Sequence, residues 1–144
     1  MIRVRATVGA LTAVTALAVG GGASSAQPAQ VPPSETLAPL LERELPNVPG
    51  KSFTSATVTF PPAARAVPHR HGDAFVYAYV LEGTVSSQLE GRPDRVYHHG
   101  ESWSEDPGAH HLSTANTSST EPAKLLVVFI ADNGQPLKTD DPPG

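Results

Sequence analysis

Residues 68–83, PHRHGDAFVYAYVLEG, carry the sequence signals that decide the fold. The apolar run within them, residues 75–81, is rich in valine and tyrosine, as β-strands are, and glycines lie on both sides of it. Just before this run, His69 and His71 have the i, i+2 spacing that places two side chains on the same face of a strand. Two imidazoles on one face are able to chelate a metal ion. The stretch therefore predicts a pair of metal ligands next to a core strand.

The rest of the chain after residue 50 has the same pattern of short strands. Residues 52–60, 84–89 and 125–130 either alternate apolar and polar side chains or form short apolar runs. Glycine, proline, aspartate or asparagine separates these segments at intervals of about eight to twelve residues, which is typical of β-sandwiches and barrels. Because no long helical period follows residue 50, an alternating helix–strand fold is disfavoured. The sequence predicts an all-β domain.

The N-terminus has the layout of a secretory signal peptide. Arg3 and Arg5 precede an uncharged run, residues 6–19, and small residues lead to a cleavage site after Ala26. We therefore expect residues 1–26 to be removed and the protein to be secreted, to a periplasm, a cell wall or the medium. The apolar run is too short for a confident membrane span, so no stable membrane anchor is expected after cleavage.

Three further segments follow the predicted cleavage site. Residues 27–50 form an N-terminal arm in which leucines have helical spacing but Pro39 interrupts them, so a short helix and an extended arm are both open. Residues 51–132 form the barrel. Residues 133–144 are rich in proline and aspartate and are expected to be a loose tail.

Composition excludes several classes of function. The 144 residues include no cysteine, so disulfides, thiolate catalysis and cysteine-based zinc sites are ruled out. The formal net charge is −4 and no basic patch is visible, which argues against a nucleic-acid partner. The length suits one domain with one hydrophobic core.

All six histidines fall between residues 69 and 111, in three close pairs. His98 and His99 precede a glycine turn and are expected to be solvated. His110 and His111 compete for the role of third ligand, because adjacent residues on a strand face opposite ways. From the residues alone, either His110 or His111 could complete a set with His69 and His71.

Two stretches together resemble the two conserved motifs of the cupin family. They are residues 68–83 and residues 100–111, GESWSEDPGAHH, which follow each other at the family's distance with a hairpin between them. The resemblance implies a double-stranded β-helix, or jelly-roll, barrel. It also implies metal ligands at His69, His71 and His111, and tight turns at the motif glycines, which are Gly83, Gly100 and Gly108.

The chain departs from the family pattern where a metal-binding glutamate is expected. That position is Val76, or Phe75 by the shorter spacing, and neither side chain binds metal. The resemblance then implies a three-histidine site for Fe, Mn, Ni, Cu or Zn. Other groups weighed as additional ligands are Tyr77, Tyr79, Gln88, Asp73, Glu105 and Asp106. Residues expected to line the barrel cavity are Val76, Val80 and Trp103.

Two kinds of function remain open. One is a metal-dependent oxygenase or isomerase of the cupin type that acts on a small molecule. The other is a non-catalytic barrel that binds a small ligand or sequesters metal, with a degenerate metal site of which Val76 is the visible trace. A homodimer is expected in either case, because exposed edge strands need covering.

Overall fold

The computed structural model describes residues 34–144, and every regular element in that part of the chain is a strand. The predicted signal peptide lies outside the described residues. No helix long and apolar enough to cross a membrane occurs among residues 34–144. The strands, in chain order, are β1 (Thr36–Glu44), β2 (Lys51–Phe60), β3 (Arg65–Ala66), β4 (His69–Arg70), β5 (Phe75–Glu82), β6 (Thr84–Leu89), β7 (Arg95–His98), β8 (Ser102–Glu105), β9 (His110–Asn116), β10 (Ala123–Asp132) and β11 (Thr139–Asp140).

The strands form two antiparallel sheets. One has the order β1-β2-β10-β5-β8, and the other β11-β4-β9-β6-β7, with β3 also paired to β9. Strands that are neighbours in the chain often lie in different sheets or apart in one sheet, as the crossing connections of a jelly roll require. The predicted all-β jelly-roll barrel is confirmed.

The core lies on the face of each strand that alternation predicts. Strand β10 alternates buried and half-buried residues along almost its whole length, and β6 does so throughout. The largest fully buried side chains come from both sheets. They are Phe60, Val76, Val80, Val85 and Phe129. Since successive strand residues point to opposite faces, one face of each strand builds a shared core.

The described part of the N-terminal arm contains a strand, β1, and the helical alternative for its leucines is wrong. Strand β1 pairs with β2 from Thr36 opposite Thr59 to Glu44 opposite Ser52, and the register shifts between Pro39 and Leu41. Proline lacks an N–H and is tolerated on an edge strand at such an irregularity. The helical spacing of the leucines is overridden by pairing with β2. All nine residues of β1 are exposed.

The C-terminal segment is more ordered than the loose tail expected from its composition. Leu137 packs against the core, and β11 pairs with β4 so that Asp140 lies opposite His69. The physical reason is that β9 pairs with one edge of the short strand β4 and leaves the other edge open. Strand β11 supplies the hydrogen-bonding partners for that second edge. This pairing places the tail directly against the histidine-bearing strand.

Candidate metal centre

Strand pairing brings the three predicted histidines together. His69 on β4 and His111 on β9 are directly opposite each other, and cross-strand partners have neighbouring side chains on one face. The ring centroids are 5.0 Å apart for this pair and 4.8 Å apart for His69 and His71. One potential ligand atom from each of the three residues lies within 4.8 Å of the others. His69 and His111 are buried and His71 is nearly so.

Backbone carbonyls fix the orientation of two of these rings. His69 Nδ1 donates to the carbonyl of Val67 at 2.7 Å, and His71 Nδ1 donates to the carbonyl of Leu137 at 2.6 Å. A carbonyl only accepts, so in each neutral ring the proton is on Nδ1 and the lone pair is on Nε2. This arrangement of a metal-binding histidine with its other nitrogen held by a carbonyl is the usual outer-shell support of a metal site. No pattern in the sequence predicts that the C-terminal tail supplies one of these carbonyls.

His111 is held by hydroxyl groups. Its Nε2 lies 2.8 Å from Ser87 Oγ and 2.7 Å from Thr114 Oγ1. A hydroxyl both donates and accepts, so these contacts are compatible with a proton on Nε2, the tautomer that leaves the Nδ1 lone pair free. Nδ1 is buried and has no hydrogen-bond partner. Nδ1 is therefore the nitrogen of His111 that is available to a metal.

Glu105, at the end of β8, brings a carboxylate into the histidine group. The residue is 2% exposed, and its Oε1 accepts a hydrogen bond of 3.1 Å from Trp103 Nε1. Oε1 also lies 3.0 Å from His111 Nδ1, without the alignment of a hydrogen bond. Oε2 lies 3.7 Å from His71 Nε2 and has no hydrogen-bond partner. The only sign of Glu105 as a possible ligand in the sequence is its short distance along the chain from His111.

The electrostatics of the group suit a cation. Burial lowers the pKa of His69 to about 4, against a smaller opposing effect of the Val67 carbonyl, and burial also lowers the pKa of His71. For Glu105, burial raises the pKa, but the contacts with His111, His71 and Trp103 outweigh it, so the pKa is lowered. At neutral pH His69 and His71 are uncharged with free lone pairs, and Glu105 is ionised. Metal ligands need these protonation states.

The histidines lie at a small, mostly apolar cavity inside the barrel. Its volume is about 80 Å³, and Val76 and Trp103 line it as expected, whereas Val80 is buried in the core away from its wall. The remaining lining includes aliphatic and aromatic side chains from β2 and β10, among them Val58, Phe60, Leu125, Val127 and Phe129. Glu35 and Lys138 also line it and form an ion pair of 2.6 Å.

The other candidate ligands lie away from the three-histidine group. His110 Nε2 contacts Asp141 Oδ2 at 2.7 Å, on the face of β9 opposite to His111. Tyr77 is 38% exposed, and neither it nor Gln88 lines the cavity. Asp73 instead pairs with Lys51 at 3.2 Å. Tyr79 and Asp106 also lie outside the cavity wall, and His98 and His99, which were expected to be solvated, are exposed.

The residues present fit a metal ion. A tetrahedral ion about 2.1 Å from each nitrogen requires ligand separations of about 3.4 Å, so the widest gap of 4.8 Å closes with side-chain movement on the order of 1 Å. Two buried atoms without partners, His111 Nδ1 and Glu105 Oε2, face this group. Buried polar atoms are rarely left unsatisfied in proteins, and a bound cation would satisfy both.

Known proteins share this fold. The cupin domain family matches residues 56–129. Oxalate oxidase in complex with the substrate analogue glycolate superposes with a TM-score of 0.55 at 21% identity, covering 72% of this chain and 57% of that one. DMSP lyase DddQ from Ruegeria pomeroyi gives 0.52 at 23% identity, covering 58% and 41%, and the Schizosaccharomyces pombe Cnp3 cupin domain gives 0.57 at 17%, covering 68% and 65%.

At these identities the solved structures show the fold alone. The chain spans about half the length of the first two of them. No curated protein sequence matches it significantly. The family match covers about half of the chain, including β5, β8, β9 and all three converging histidines. This chain belongs to the cupin family.

Proposed function

We propose that the protein holds one divalent metal ion through His69, His71 and His111, and that a small molecule binds at this ion inside the barrel. The single observation that carries the proposal is the convergence of the three rings. Two of them are oriented by carbonyls so that a lone pair faces the same cavity. Fe, Mn, Ni, Cu and Zn are all compatible with this donor set.

The protein's own residues define what the site does to a ligand. The histidines would hold the ion at the cavity, whose wall is mostly apolar and includes Trp103 and Phe129. A bound metal would act as a Lewis acid that polarises an oxygen atom of the ligand. The 80 Å³ volume is well below the several hundred Å³ of drug-sized sites, so the ligand has only a few non-hydrogen atoms. These features support an oxygenase or isomerase acting on a small molecule.

The route to the outside and the quaternary structure are part of the proposal. The signal-peptide pattern supports secretion with cleavage after Ala26. Strand β1 supports a homodimer, since Leu37, Leu40 and Leu41 are exposed on an edge strand. Mass spectrometry of the exported protein tests the cleavage site, and light scattering of the purified protein tests the dimer.

Turnover decides between an enzyme and a non-catalytic binding barrel. We would load the protein separately with each of the five metals and incubate it with small hydroxy acids and dicarboxylates. This choice follows the glycolate and oxalate of the oxalate oxidase neighbour. Oxygen consumption and proton NMR would report reaction, and His69→Ala would be the control. Metal-dependent turnover supports the enzyme, whereas metal and ligand binding without turnover of any compound supports the binding barrel.

A further inference from the structure

We propose that Glu105 is the fourth protein ligand of the metal ion, supplied by β8 in place of a carboxylate on β5. This inference rests on the proposed metal site. It assigns to Glu105 the coordination role that the valine at position 76 leaves empty. Glu105 lies on the strand next to β5, directly opposite Val76.

Strand register carries the first step. Val76 on β5 is directly opposite Glu105 on β8 in an antiparallel pair. Directly opposed residues have side chains on the same face, with Cβ atoms about 4.5–5.5 Å apart. Both side chains are buried, at 1% and 2% exposure, and both line the cavity that holds the histidines. A carboxylate at either position therefore reaches the same space.

The contacts of the two carboxylate oxygens carry the second step. Trp103 donates to Oε1 and fixes the orientation of the group. Oε2 is then turned toward His71 Nε2 at 3.7 Å, and no protein group satisfies it. A buried carboxylate oxygen without a partner is costly, and an ion beside His71 and His111 satisfies it.

A purely orienting role for Glu105 explains less of this geometry. An orienting contact to His111 Nδ1 uses only Oε1, which lies 3.0 Å from that nitrogen, and it leaves the buried Oε2 without any hydrogen-bond partner. The ring is already held from its other side by Ser87 and Thr114. His111 Nδ1 and Glu105 Oε2 both remain available to bind a metal ion. A nitrogen and a carboxylate oxygen are donors that suit a divalent transition metal.

Zinc titration of three proteins tests the inference. We would measure Zn²⁺ affinity for the unaltered protein, for Glu105→Gln, and for the exchange variant Val76→Glu/Glu105→Val. Loss of a ligand is expected to weaken binding by about 100-fold or more, beyond the 10–100-fold typical of outer-shell changes. The exchange variant is expected to recover most of the affinity. Glu101→Gln, a half-exposed carboxylate outside the cavity wall, is the matched control and should leave the affinity unchanged.

A crystal structure of the zinc-loaded protein gives a readout that does not depend on variants folding. We expect a Glu105 oxygen about 2.0–2.2 Å from the ion. Zinc bound by the histidines with both Glu105 oxygens more than about 3 Å away would overturn the ligand role and leave the proposed function standing. Unchanged affinity in Glu105→Gln would do the same. If the unaltered protein binds no metal, the proposed function fails and this inference fails with it.

Discussion

The metal-free protein should lose stability as the pH falls through the slightly acidic range, because His69 is buried in its neutral form. The pKa of this ring is about 4 in the folded protein and 6.5 when unperturbed. Between these values the unfolded chain binds a proton that the folded protein does not. The free energy of unfolding therefore decreases as the pH is lowered. At about 1.4 kcal/mol per pKa unit, the difference corresponds to about 3 kcal/mol, an upper bound for this one residue.

Two other groups of the site, His71 and Glu105, act in the same direction. Burial lowers the pKa of His71, so its contribution also falls in acid, below 6.5. The pKa of Glu105 is lowered from 4.5, so the stability that its ionised form provides is present above 4.5 and is lost as the pH falls through the folded value. Since small domains are stable by only about 5–15 kcal/mol, the combined loss is large enough to measure.

Urea denaturation at pH 7.0, 5.5 and 4.5 is the assay, with the fluorescence of the buried Trp103 as the signal. Trp103 is the only tryptophan in the chain, so the signal reports on the barrel interior. We expect the free energy of unfolding to fall steadily across this series, and His69→Gln to reduce the slope between pH 6.5 and 4.5. An unfolding free energy independent of pH in the unaltered protein would refute the reasoning.

Three further results are expected. Gly83→Ala should lower the free energy of unfolding by about 2–3 kcal/mol, because φ is +73° and a Cβ would lie 2.9 Å from a backbone carbonyl oxygen. Gly134→Ala, at φ +77° with open space around it, should cost less. Equal losses in urea denaturation would contradict the packing argument. Zn²⁺ at 100 times its dissociation constant should add about 2.7 kcal/mol of stability, seen as a rise in Tm that His69→Ala abolishes; an equal rise in that variant would point to binding elsewhere. Deleting residues 137–144 removes the carbonyl that orients His71 and should weaken Zn²⁺ binding about 10-fold or more. Deleting only residues 142–144 should leave the affinity in a zinc titration unchanged. A similar affinity in both truncated chains would show that the tail does not support the site.

Local sequence patterns were sufficient for the all-β class and for the pair His69 and His71, whereas the jelly-roll barrel was implied by the family resemblance. The alternation of apolar residues predicted strands that the structure contains, and the spacing of His69 and His71 predicted neighbouring side chains. The choice of His111 over His110 depended on the resemblance to the two family motifs. Strand pairing explains the choice, since His111 faces His69 across the β4–β9 pair and His110 faces away.

The remaining features depend on contacts between segments distant in the chain. Glu105 reaches the histidines only because β8 pairs with β5, and nothing near residue 105 encodes that register. Leu137 supports His71 only because the tail returns to pair with β4. The helical spacing of the arm leucines was misleading because the edge of β2 offered hydrogen-bonding partners that a local pattern does not reveal.

Metal content is the most direct test of the three-histidine site. The protein would be purified without a histidine tag, reconstituted with each of Fe, Mn, Ni, Cu and Zn, and analysed for bound metal beside His69→Ala, His111→Ala and His110→Ala. We expect one ion per chain in the unaltered protein and in His110→Ala, whose side chain lies on the opposite face of β9, and none in the other two variants. No bound metal in the unaltered protein, or equal loss in His110→Ala and His111→Ala, would contradict the site.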